Sequence, residues 1–280
     1  MALPQRELGK SGIKVSAEGL GLMSLSGVYG PFDEAAGISL IHEALDRGVT
    51  FLDSSDAYGK GQNEELLGKA LKGRRSGAVV ATKFGNLGGA GGKFADGRPD
   101  FVISSCEAKP DTIRRAHKTH PLAAVQSEYS LLYRQHAEET LATTRPLGIS
   151  FVAYAPIARG LLSEEIADPA TLTEGDTRKR QPRYAGDNLS HNKALAQKVQ
   201  AMAKQKGCTT AQLAIAWVLA QGPDLVPIPG TKRKERLAEN LGALNVKLTP
   251  AEVASLSAAV PPGAAKGTRY PEGQMKSLHI

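Results

Sequence analysis

Val49-Thr-Phe-Leu-Asp-Ser-Ser-Asp-Ala-Tyr-Gly59 reads as a short buried strand that runs straight into chemistry-bearing side chains. Val49 to Leu52 carries no charged residue, the pattern of a strand covered on both faces. Asp53, Ser54, Ser55, Asp56 and Tyr58 follow at once. On the upstream side, Asp33 is placed to cap a helix running to Arg47, with Ile38, Ile41 and Leu45 on one face and Gly48 as its stop. On the downstream side a second helix begins at Asn63, presents Leu66, Leu67 and Leu71 together, and ends before Gly73.

The same strand-then-helix alternation extends along the chain. Apolar runs at Gly19–Met23, Ala78–Thr82, Leu122–Gln126, Ile149–Ala153 and Leu225–Ile228 complete six strand candidates. Helical stretches fall at Pro110–His117, His136–Arg145, Asn188–Lys206, Thr210–Gln221, Lys234–Leu241 and Pro250–Ala258. Short apolar strands alternating with helices predict βα units around a parallel sheet. Arg6–Leu8 and Ile13–Val15, joined by Gly9-Lys-Ser-Gly12, predict a leading hairpin. Gly85–Gly97, with six glycines in thirteen residues, reads as a mobile loop, and Asp168–Asn188 as a second long loop. Gly19-Leu-Gly21 lacks a third glycine at the Rossmann step, so that dinucleotide fold is disfavoured.

Composition narrows the function. The 280 residues are 41% hydrophobic and 22% charged, with net charge +7 and mean hydropathy −0.25, as in an ordinary globular protein. The mild basicity fits a phosphate-bearing ligand, and only 5% aromatic residues argues against a base-stacking nucleic-acid platform. No apolar stretch reaches the roughly 18 residues of a membrane span. The first twelve residues, with no apolar run after their charges, are not expected to form a secretory signal. Two cysteines, Cys106 and Cys208, cannot frame a disulfide scaffold, so a cytoplasmic, reducing setting is expected.

In a β/α barrel, chemistry gathers at the C-terminal ends of the strands. Asp53 and Lys83 each stand one residue past a strand candidate, with Tyr58 close behind. A lysine held beside a tyrosine hydroxyl favours the phenolate, so the Tyr58 pKa is expected to fall, with Asp53 keeping Lys83 charged. Such a tyrosine can give a proton to a carbonyl oxygen. Singly, Asp53 reads as a turn residue, Tyr58 as a packed loop aromatic and Lys83 as solvated; the three together favour a site.

Several segments carry a wider resemblance: Arg6-Glu-Leu-Gly-Lys-Ser-Gly-Ile-Lys-Val-Ser16, Gly19-Leu-Gly-Leu-Met-Ser-Leu-Ser-Gly27, Phe51–Gly59, Asn63-Glu-Glu-Leu-Leu-Gly-Lys-Ala-Leu71, Ala81-Thr-Lys-Phe-Gly85, Val125-Gln-Ser-Glu-Tyr-Ser130, Tyr154-Ala-Pro-Ile-Ala-Arg-Gly-Leu-Leu162 and Pro227-Ile-Pro-Gly-Thr-Lys232. In this order the chain resembles the aldo-keto reductases, and within them the plant branch of auxin-induced-protein-like and perakine-reductase-like enzymes. The resemblance implies one α/β domain over 1–280, a (β/α)8 TIM barrel behind a β-hairpin, and NADPH-dependent reduction of small aldehydes or ketones. It implies Tyr58 as general acid with Asp53 and Lys83 as its tuning pair. It places Gly21, Met23 and Asp53 beside the cofactor NADP(H), Gln126 on the nicotinamide amide, and Tyr154 on the nicotinamide ring. Ala155, Pro156, Ile157, Arg159 and Gly160 would line the diphosphate, Gly230, Thr231, Lys232 and Arg236 the 2′-phosphate, and Glu239 and Asn240 the adenine. It assigns no metal.

The family order breaks between Cys106 and Lys109. A helix beginning at Pro99 passes directly into Lys109-Pro-Asp-Thr-Ile-Arg-Arg-Ala-His117, where the family has its fourth and fifth strands and a catalytic histidine. His117 lies at a plausible distance from Lys83, but no apolar strand leads into it, so it and His120 read as surface histidines. The barrel is therefore expected to lack the region of strands 4 and 5, deleted or unobserved near Cys106–Lys109, and the set its histidine. A non-catalytic NADPH-binding, redox-sensing subunit and an inactive truncated isoform are the alternatives.

Overall fold

The computed structural model describes residues 2–83 and 109–275. The glycine-rich stretch 85–97, the helix expected from Pro99, and Cys106 lie outside them.

A hairpin of β1 (Gln5–Glu7) and β2 (Lys14–Ser16) opens the chain and pairs antiparallel. Six parallel strands follow: β3 (Leu20–Gly21), β4 (Phe51–Asp53), β5 (Val79–Ala81), β6 (Ala124–Glu128), β7 (Ser150–Tyr154) and β8 (Leu225–Ile228). They pair as β3-β4-β5 and β6-β7-β8. A parallel bridge from Gly21 to Gly230, with Gly19 N donating to Pro227 O at 2.9 Å, joins β8 to β3. The continuous order is β6-β7-β8-β3-β4-β5, an arc of a barrel. The close join needs glycine: a Cβ on Gly21 would stand 2.8 Å from Ile228 O, and one on Gly19 2.8 Å from the Phe51 ring. Among the described residues β5 pairs only with β4 and β6 only with β7, which agrees with an arc short of two strands.

The helices are α1 (Glu34–Asp46), α2 (Gln62–Ala70), α3 (Pro110–Thr119), α4 (Gln135–Leu147), α5 (Gly186–Lys206), α6 (Thr210–Leu219), α7 (Lys234–Leu241), α8 (Pro250–Ala259) and the short α9 (Glu272–Met275). Asp33 caps α1 as expected, accepting from Ala36 N at 2.7 Å. One apolar layer, with Leu20, Leu52, Leu40, Leu66 and Leu237, lies between β3–β5 and the helices α1, α2 and α7. A second, around Phe151, Tyr129 and Trp217, lies between β6–β8 and α4–α6 and α8. Phe51, Val152, Val226 and Ile228 point inward instead, where Leu8 and Val15 of the hairpin close the floor. That alternation along each strand sends one set of side chains to the helices and the other to the interior.

Glu18, between the hairpin and β3, is 1% exposed and its Oε2 has no hydrogen-bond partner among the described residues. Burial pushes its carboxyl well above the usual carboxylate range. The folded chain then holds a proton that the unfolded chain releases near the ordinary value of 4.5. Stability from this group is full below that pH and is lost as pH rises toward the folded value. Glu18→Gln is expected to stabilise the fold by about 1–3 kcal/mol at neutral pH, with the gain vanishing toward pH 4. Thermal melts at both pH values check this; a gain independent of pH would contradict it.

Candidate active site

Asp53 and Lys83 come together because β4 and β5 pair in register, Asp53 against Ala81, so both side chains leave the same rim of the sheet. Lys83 Nζ bonds Asp53 Oδ2 at 2.5 Å and Ser54 O at 2.7 Å. The pair is largely buried, at 18% and 4% side-chain exposure. Gln126, on the far side of the arc, donates from Nε2 to Asp53 Oδ1 at 2.7 Å. Both carboxylate oxygens are thus held. Burial still raises the Asp53 pKa, opposed by the Lys83 charge and by the two hydrogen bonds.

Tyr58 follows in a turn whose geometry is fixed by neighbours: Tyr58 N donates to Ser55 O, and buried Asn63 accepts from Ser54 Oγ and donates to Leu22 O. Lys83 Nζ lies 5.0 Å from the Tyr58 ring centroid. The three residues expected at one site are therefore at one site. The expected direction of the Tyr58 pKa is overturned. It is raised, first by burial, then by the negative charge of Asp53, with Tyr270 and Tyr29 adding to it. The ammonium of Lys83 is spent on Asp53 and Ser54 and sits over the ring, so it does not draw out the phenolic proton.

The turn after β7 carries three of the four described non-glycine residues with positive φ: Ala155 at 50°, Ala158 at 49° and Arg159 at 56°. Strain of this kind concentrates where backbone is shaped for a ligand. Ile157 and Gly160 lie in the same turn, where Gly160 N donates to Ile157 O. Arg159 itself turns inward, its Nη2 3.1 Å from Glu128 Oε2. Tyr154 Oη is 3.0 Å from Tyr270 Oη.

The junction of β8 and α7 opens on an uncapped helix start. No side chain caps the first turn of α7, and Arg233 and Lys234 there are exposed. Of the residues expected to hold the 2′-phosphate, Gly230 packs on Gly21 O and Thr231 Oγ1 accepts from Arg233 N. Arg236 pairs with Glu239 at 2.6 Å. Lys232 departs from expectation: its Nζ bonds the carbonyls of Tyr29 at 2.8 Å and Pro31 at 3.2 Å, pinning the loop after β3. The long segment before α5 docks on that loop too, with Thr177 N donating to Val28 O at 2.9 Å and Arg178 lying 5.3 Å from the Tyr29 ring centroid. Met23 lies in the turn after β3, and Asn240 is buried within α7.

Glu128, Arg183, Arg269 and Tyr270 also converge here, and sequence reasoning missed them. Only Glu128 carried a signal, as the inward neighbour of Gln126 two residues along β6. The histidines of the described chain are engaged elsewhere or exposed. His117 Nδ1 accepts from Leu122 N at 3.1 Å, His42 bonds Ala70 O and His191 bonds Ala264 O. No cluster of three His, Cys, Asp or Glu residues able to hold a metal occurs among the described residues. Nor is any described helix long and apolar enough to cross a membrane.

A barrel rim carrying an Asp–Lys–Tyr group defines a class, and the chain's relatives agree with it. The Aldo/keto reductase family profile matches residues 19–112 and 102–261, and the chain belongs to that family. The two stretches overlap across the point where the family order breaks. Solved structures share the fold. An aldo-keto reductase AKR11C1 from Bacillus halodurans, in its holo form, is 23% identical with TM-score 0.67, over 97% of this chain and 99% of its own. The glycerol dehydrogenase AKR11B4 from Gluconobacter oxydans is 20% identical with TM-score 0.73, over 96% and 99%. A thermostable aldo-keto reductase, Tm1743, is 23% identical with TM-score 0.61, over 92% and 100%.

Proposed function

We propose that this chain reduces aldehydes or ketones to alcohols with NADPH, and that Tyr58 donates the proton. The observation that carries the reading is the single hydrogen-bonded group of Lys83, Asp53 and Gln126, with Lys83 over the Tyr58 ring, at the C-terminal rim of parallel strands. When bound, the cofactor supplies hydride to the carbonyl carbon. Tyr58, kept neutral by burial and by Asp53, holds its proton until the carbonyl oxygen becomes an alkoxide, a far stronger base than phenolate. Lys83 and Asp53 fix the ring and offset each other's charge. The strained turn at Ala155–Gly160 would hold the diphosphate, and Thr231, Arg233 and Arg236 the 2′-phosphate. The helix start and its cations favour NADPH over NADH.

Arg236→Ala is expected to raise KM for NADPH about tenfold or more, as loss of a charge-assisted contact, while leaving KM for NADH nearly fixed. Steady-state kinetics with both cofactors test it; equal shifts would refute the 2′-phosphate assignment.

One observation favours a second reading, a non-catalytic NADPH-binding subunit: no histidine joins the Asp53–Lys83–Tyr58 group among the described residues. Cofactor binding without turnover would distinguish it. The assignment to the plant auxin-induced-protein-like branch rests on the motif segments. The solved structures above share the fold at 20–23% identity. A single incomplete barrel domain in the cytoplasm completes the proposal.

A further inference from the structure

Glu128 is fully buried at the end of β6, and three guanidinium groups share it. Arg159 takes it most closely, with contacts of 3.1 and 3.3 Å. Arg183 Nη1 lies 3.3 Å from Oε1, and Arg269 Nη1 3.7 Å from Oε2. They come from four separate segments: β6, the strained turn after β7, the 3-10 turn Pro182–Tyr184, and the chain after α8. Glu128 and Arg159 balance as one ion pair. Among the described residues, and with Arg269 set aside, Arg183 then leaves one positive charge beyond that pair, 6% exposed. Its pKa is lowered by burial and by repulsion from Arg159 and Arg269, against the pull of Glu128, whereas that of Arg159 is raised by Glu128 against burial. A buried cation in surplus calls for an anion.

The position of this surplus is set by the strand. Gln126 and Glu128 point to the same face of β6, two residues or roughly 7 Å apart along it. Gln126 touches Asp53, so the arginines stand one step further toward the open rim than the proton-donating group. Tyr133 and Tyr270 pack against the arginines, with Arg183 5.5 Å from the Tyr133 centroid and Arg159 4.8 Å from that of Tyr270. Tyr270 also adds to the electrostatic environment of Tyr58.

We infer that the site takes carbonyl substrates bearing a carboxylate on the side away from the carbonyl, with Arg183 as the specificity-determining residue that receives it. The inference rests on the carbonyl-reductase reading. A guanidinium can take a carboxylate through two parallel hydrogen bonds, a fit that a neutral ester cannot match.

The test compares 4-carboxybenzaldehyde with its methyl ester, which keeps the ring and replaces the charge. The wild-type chain is expected to favour the acid at least about tenfold in kcat/KM. The acid-to-ester ratio is expected to fall toward one in Arg183→Gln and to survive largely in Arg183→Lys. A wild-type ratio near one overturns the inference without any variant. So does an unchanged ratio in Arg183→Gln with a raised KM for NADPH, which would give the charge to the cofactor. If neither aldehyde turns over, the reductase reading fails separately, and calorimetry decides the anion site. There, 4-(hydroxymethyl)benzoate is expected to bind about tenfold tighter than its methyl ester, and equal binding overturns the inference.

Discussion

Tyr58→Phe is expected to lower aldehyde-dependent NADPH oxidation by roughly 10²–10⁴-fold, the range of a lost general acid, with little change in cofactor affinity. The substitution removes one oxygen and leaves the ring under which Lys83 packs. The surrounding turn is tied by backbone bonds and by Asn63, none of which uses the Tyr58 hydroxyl. A fall in kcat with an unchanged melting temperature would therefore report chemistry and not misfolding. Because burial and Asp53 raise the Tyr58 pKa, the proton stays on the phenol through neutral pH. Activity in the wild-type chain should show no loss on the alkaline side of neutrality attributable to Tyr58. A basic limb near pH 8 that disappears in Tyr58→Phe would contradict that protonation state.

Lys83→Met is expected to destabilise the fold by about 3–5 kcal/mol, the usual effect of removing one partner from a buried ion pair. Asp53 is 4% exposed in its side chain and would be left with only Gln126 as a donor among the contacts seen here. Asp53→Asn in the same background removes the stranded charge. The double variant should recover a large part of the loss, giving a coupling energy of a few kcal/mol. Urea denaturation of the four proteins measures it. Additive losses would mean that the pair is not a coupled unit. Either single variant should also lose turnover, since both groups fix the tyrosine.

Much of this arrangement was legible in the sequence. Apolar runs between helices located the six strands, and Asp53 and Lys83 could be paired because each follows a strand by one residue. The parallel register of β4 and β5 then brings them together. The pKa of Tyr58 was misjudged because burial is a property of the assembled rim and not of the segment. Gln126 was expected at the nicotinamide, but its contact with Asp53 spans the arc between strands far apart in order. Lys232 was expected on a phosphate, yet the carbonyls of Tyr29 and Pro31 belong to a loop some two hundred residues away in sequence. Arg183 and Arg269 come from segments with no periodicity. Nothing in their spacing points to Glu128.

Among the described residues the arc has six parallel strands. These six strands place Tyr58, Asp53, Lys83 and Gln126 together, and the two stretches of family match overlap over 102–112. The described part of the rim is therefore expected to suffice for proton donation. The most direct test is to follow NADPH absorbance with an aldehyde, using protein whose intact mass is that of the 29.5 kDa chain. Turnover that Tyr58→Phe abolishes is the predicted result. Bound NADPH with no turnover, or turnover indifferent to Tyr58→Phe, would contradict it.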